Sequence, residues 1–82
     1  MKTEKTEEDM DAELIDQYQI VTYWSADDDA FIAEMPELPG CMSDGPTEAD
    51  ARLNIRVIAQ EWINRARYLG REIAAPQSVL VA

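Results

Sequence analysis

Six carboxylates crowd the middle of this sequence: Asp27, Asp28, Asp29, Glu34, Glu37 and Asp44. Carboxylates that converge on divalent cations can activate water for phosphodiester hydrolysis, because hard cations take oxygen ligands and acidify the water they bind. That is the one hydrolytic chemistry the composition leaves open. The chain has no histidine, which excludes imidazole bases, Ser-His-Asp triads and histidine-ligated zinc. Its single cysteine, Cys41, cannot make a Cys-rich zinc site, a CxxC redox pair or an internal disulfide. The three glycines, Gly40, Gly45 and Gly70, are too scattered for a phosphate-cradling loop. Position also weakens the metal reading. Asp27–Asp29 follow Ala26 in a predicted turn and Asp44 precedes Gly45-Pro46, and Asp favours turns because its side chain bonds nearby backbone. Only Glu34 falls inside a predicted strand. The expectation is a chain that is not an enzyme and that holds no metal or cofactor.

Length and charge bound the remaining functions. Eighty-two residues make one domain, and a domain this small hides only about 60–65% of the surface that its unfolded chain exposes. Self-association, as a dimer or tetramer, is one way to bury more. The net charge of −10 argues against binding DNA or RNA through phosphates. The charge is also uneven. Residues 1–51 hold two lysines against fifteen acids, a balance of −13, whereas residues 52–82 hold five arginines against two acids, a balance of +3. An acidic half of this kind can steer a basic partner. No apolar run is long enough to span a membrane, no secretory signal opens the chain, and the lone cysteine fits a reducing compartment, so a cytoplasmic location is expected.

The elements that must position these residues follow from periodicity and punctuation. Residues 1–16 read as an acidic extension and 17–82 as the domain. Within the extension, Thr6 and Asp9 form a capping-box pattern that starts a short helix over about 7–16. Residues 18–25 are β-branched and aromatic and read as a strand, with Tyr18, Ile20, Thr22 and Trp24 on one face. Tyr18 and Trp24 are expected in the core and Tyr23 half exposed. After the Asp-rich turn, residues 30–35 return as a second strand, which Pro36 and Pro39 end. Residues 41–43 make a short third strand. Thr47 caps a long helix over 48–69 and Gly70 stops it. At about 100° per residue, Ala51, Ile55, Ile58, Trp62, Ala66 and Leu69 form one apolar stripe. Residues 78–81 read as a final strand. The fold class is α+β: a two-layer β-β-β-α-β arrangement with one long helix on a small sheet and an extra N-terminal helix in front.

These residues also carry a family pattern. The run Phe31-Ile32-Ala33-Glu34-Met35-Pro36-Glu37-Leu38-Pro39-Gly40-Cys41 is followed by Ser43-Asp44-Gly45-Pro46-Thr47-Glu48-Ala49-Asp50-Ala51, then Asn54, Ile58, Trp62, Gly70 and Ile73. Over about residues 18–76 the chain resembles the HicB-like domain of bacterial HicA/HicB toxin–antitoxin systems. The resemblance implies a partly degraded RNase H-like fold and a non-enzymatic antitoxin. Such an antitoxin binds and neutralises a small basic HicA-like toxin that cleaves mRNA. Many family members add a C-terminal DNA-binding domain; this sequence ends at Ala82 without one, so DNA binding is not carried over. It also has Ile73-Ala74-Ala75-Pro76 where the family usually shows two prolines, and it adds residues 1–16. Short stand-alone members, mostly of unassigned function and self-associating, are the nearer likeness. A lesser alternative is a metal-dependent nuclease that retains RNase H chemistry.

Two surfaces are singled out. Asp27, Asp28, Asp29, Glu37 and Asp44 are the candidate partner-binding charges. Leu53, Val57 and Ile63 lie off the predicted helix stripe and are the candidate self-association residues. Arg52, Arg56 and Arg67 share one flank of the same helix, where ion pairs with the acidic half are the expected role. Cys41 is expected to be a small buried residue and not a reactive thiol.

Overall fold

Local chemistry and tertiary contact together set the elements, and the computed structural model describes residues 6–76. In chain order they are α1 (Glu7–Gln17), β1 (Val21–Ser25), β2 (Ala30–Glu34), β3 (Met42–Gly45) and α2 (Glu48–Leu69). The Thr6 hydroxyl accepts from the Asp9 amide at 3.1 Å, and the Asp9 carboxylate accepts from the Thr6 amide at 3.3 Å, so the capping box starts α1. At α2 the Thr47 hydroxyl accepts from the Asp50 amide at 3.1 Å. Gly70 ends that helix at φ 71°, a left-handed conformation that costs glycine little.

The three strands form an antiparallel meander in the order β1-β2-β3. Its register decides which side chains share a face. Thr22, Ala33 and Ser43 lie in one cross-strand row, and Tyr23, Ile32 and Asp44 in the next. The first row faces α2: the Ser43 hydroxyl donates to the Ala51 carbonyl at 2.9 Å, and the Thr22 hydroxyl donates to the Glu48 carboxylate. The second row lies on the opposite face, which no other described element covers. The architecture is therefore α+β, with α2 packed on one face of the sheet and α1 packed against α2. The expected strand over 78–81 lies outside the described residues.

Small residues let helix and sheet approach closely. Ala33, Ala51 and Ala59 are fully buried beside Ile55, Met35 and Leu38. A Cβ on Gly45 would sit 2.7 Å from the Ala51 backbone nitrogen, so only glycine fits there without a shift. The Pro-Glu-Leu-Pro-Gly segment closes one end of the core. Met35, Leu38 and Cys41 point inward at a spacing of three, tied by Leu38 N–H to Met35 O at 3.0 Å and Cys41 N–H to Leu38 O at 2.9 Å. The Trp62 indole N–H donates to the Pro39 carbonyl at 2.9 Å and pins the loop to α2.

Three expectations need correction. The buried stripe of α2 is Ala51, Ile55, Ala59, Ile63 and Ala66; Ile58 and Trp62 are half-buried and Leu69 is exposed. Ile63 is thus core, not a self-association surface residue, because α1 packs along α2 and gives it a second neighbour besides the sheet. Trp24 is 50% exposed instead of buried. Thr22 already meets the first residue of α2, so Trp24, two positions further along the strand, lies beyond the helix and packs edge-on against Phe31 (centroids 5.1 Å, 70°). Asp44 and Gly45 belong to β3 and not to the turn after it, so that strand runs two residues further than its sequence suggests.

Two substitutions separate the observed stripe from the predicted one. Ile63→Ala is expected to lose about 2–5 kcal/mol in urea unfolding, and Leu53→Ala under about 0.5 kcal/mol. Equal losses would place Ile63 on the surface. Gly45→Ala is expected to cost about 1–3 kcal/mol by overpacking against the Ala51 backbone.

Candidate functional site

The uncovered face of the sheet is built from alternate residues of three short strands. Val21, Glu34 and Met42 form one row; Tyr23, Ile32 and Asp44 form the next, about 6.6–7 Å along the strands. Val21, Tyr23 and Met42 are all roughly two-fifths exposed or more, and Ile32 lies beneath them, nearly buried. Three large apolar side chains adjoining on one sheet face are more informative than single exposed ones. Carboxylates are set among them. The Tyr23 hydroxyl donates to Glu34 Oε2 at 2.6 Å, and that bond to a carboxylate raises the phenol above its ordinary pKa. A crease of about 180 Å³, lined by Glu34, Pro36, Gly40 and Met42 among others, continues the relief at one end.

The candidate charges do not meet at one point. Asp27, Asp28 and Asp29 form the exposed β1–β2 turn, where local chemistry holds them. The Ser25 hydroxyl bonds Asp28 at 2.9 Å, and Asp29 adopts φ 53°, a conformation Asp tolerates. Glu37 is at the other end of the hairpin, accepting from the Gln19 amide at 2.9 Å. Asp44 stands in β3 on the uncovered face, and Asn54 of α2 fixes its backbone by donating to its carbonyl at 2.8 Å. Among the described residues no three Asp, Glu or Cys side chains are grouped so as to hold a metal ion. Glu34 and Tyr23 belong to the face as much as Asp44 does. The register that joins them becomes visible only once the strands are paired.

Of the self-association candidates, Leu53 and Val57 are 65% and 60% exposed on the outer side of α2. Of the arginine flank, Arg56 and Arg67 are committed internally and Arg52 is exposed. Arg56 pairs with Asp16 at 2.5 Å, and Arg67 holds Asp11 in two contacts of 2.5 and 2.8 Å with Glu7 nearby at 3.6 Å. Asp11 is buried at 3% exposure, and Gln60 donates to it at 2.7 Å. Hydrogen bonding to Arg67 holds its carboxyl below the usual range despite its burial. Cys41 is buried, and burial pushes its thiol up. No helix among the described residues is long and apolar enough to cross a membrane. Compared with family models, characterised proteins and solved structures, the chain matches none.

The Asp11 cluster gives a pH signature. A carboxyl whose folded pKa is depressed contributes stability above its unfolded value, near 3.9, and that contribution is lost as pH falls through the folded value. Asp11→Asn is expected to cost about 1–2 kcal/mol at neutral pH, since Arg67 is partly exposed and can recover water. The difference from the parent in urea unfolding should shrink steadily below about pH 4. A difference that stays constant with pH would show that the ion pair does not hold α1.

Proposed function

We propose that this chain is a non-enzymatic, HicB-like antitoxin-type module that binds and neutralises a small basic HicA-like toxin. The carrying observation is the uncovered sheet face. Val21, Tyr23 and Met42 offer apolar area that a partner would remove from water, and Glu34, Asp44 and the Asp27–Asp29 turn give that area a negative field. Apolar contact would supply affinity, and the carboxylates would select a basic surface and speed encounter with it. The finer arrangement, a HicB-like β-β-β-α-β order, goes with this proposal. A second reading, an orphan self-associating HicB-like protein, is favoured by the exposed Leu53–Val57 ridge, which is separate from the sheet face.

The test is binding to, and growth rescue from, the product of a neighbouring reading frame that encodes a small basic protein. Glu34→Lys with Asp44→Lys is expected to weaken binding at least about tenfold and to abolish rescue, with the unfolding midpoint nearly unchanged. Raising the salt concentration should weaken the parent complex as well. A complex indifferent to both changes would remove the sheet face from the proposal. Absence of any basic partner, with a dimer that Leu53→Glu and Val57→Glu dissociate, would decide for the orphan reading.

A further inference from the structure

The last two turns of α2 form one wall of an open groove of about 290 Å³, well away from the acidic hairpin turn. Trp62, Arg65, Ala66 and Leu69 follow an i, i+3, i+4, i+7 spacing and so share one helix face. Pro39, held by the Trp62 indole, makes the second wall. The left-handed turn at Gly70 folds the chain back, with the Arg71 amide donating to the Ala66 carbonyl at 2.8 Å, and lays Arg71 and Glu72 along the third side. The Trp62 indole N–H thus ties the second wall to the first, and the Arg71 amide ties the third side to α2.

Its charge is the exception in this molecule. The chain has seventeen acids and seven bases. Arg56 and Arg67 are taken by Asp16, Asp11 and Glu7. The Arg65 and Arg71 side chains are exposed and make no hydrogen bond or ion pair among the described residues, yet both line this mostly apolar groove. A guanidinium is weakly hydrated, stacks on flat groups and binds carboxylates through paired N–H donors. An indole beside it offers a flat apolar surface. The complementary ligand is a small anion with an aromatic body.

We propose that the groove between α2 and the Pro39 loop binds a small aromatic carboxylate, its ring against Trp62 and Leu69 and its charge between Arg65 and Arg71. This site is independent of the sheet face and of any protein partner. Glu72 opposes the ligand's charge and sets a ceiling on affinity.

The experiment titrates 2-naphthoate into the full-length protein carrying Trp24→Phe, so that Trp62 gives the single indole N–H resonance. A saturable shift of that resonance is expected, at least about tenfold weaker for the uncharged 2-naphthamide. Arg65→Gln with Arg71→Gln should weaken 2-naphthoate about tenfold, and Glu72→Gln should tighten it severalfold. All three side chains are exposed, so the fold is not at stake in these variants. Equal binding of acid and amide, no saturable shift, or an affinity unmoved by the arginine substitutions would each overturn the proposal. So would an indole shift that follows protein concentration, which would assign the groove to a second copy of the chain.

Discussion

The close approach of α2 to the third strand is the constraint on which the rest depends. Gly45 has no room for a Cβ against the Ala51 backbone, and Ser43 and Asn54 tie the same turn of helix to the same strand. With the helix seated so low, Ala59 and Ala33 suffice to fill the centre, and the larger Ile55, Ile63, Met35 and Leu38 complete the core around them. Deeper seating means fewer voids and more dispersion contact per residue, which matters in a chain with so little core. It also places most of the buried apolar side chains on one side of the sheet.

The other side follows from that asymmetry. An antiparallel sheet can keep one face in water, and its strands then alternate apolar and polar residues. Here the alternation is incomplete. Val21, Tyr23 and Met42 remain on the solvent side, with Glu34 and Asp44 between them. The acids keep the face soluble without making it inert, and the Tyr23–Glu34 bond holds one of them in a fixed place. The acidic and basic halves of the sequence are joined on the covered side instead, where α1 lays Asp11 and Asp16 against Arg67 and Arg56. Arg65 and Arg71, outside these pairs, mark the groove at the far end of α2.

Much of the fold could be read from residue chemistry. Thr6 with Asp9, Thr47 with Asp50, and Gly70 fix where helices begin and end through bonds within a few residues of themselves. The Asp-rich turn and the prolines after Met35 likewise act locally. The candidate site was less legible. Asp44 looked like a turn residue because Gly45-Pro46 follow it, and only pairing with Ile32 placed it in a strand on the uncovered face. Leu53 and Val57 were legible as exposed, lying off the apolar stripe on a side of the helix that no other described element covers. Ile63 was not, since its neighbour α1 is more than forty residues earlier in the chain.

The sequence by itself therefore determined what short-range forces decide: helix ends and their caps, the Asp-rich hairpin turn, the sign of the charge, and an α+β composition without imidazole chemistry. Tertiary structure alone decided which faces are covered. Side-chain period assigns a residue to a face of its own strand or helix, but burial depends on what long-range packing brings against that face. That packing turned Ile63 inward, left Trp24 past the end of the helix, and set Tyr23, Glu34 and Asp44 side by side.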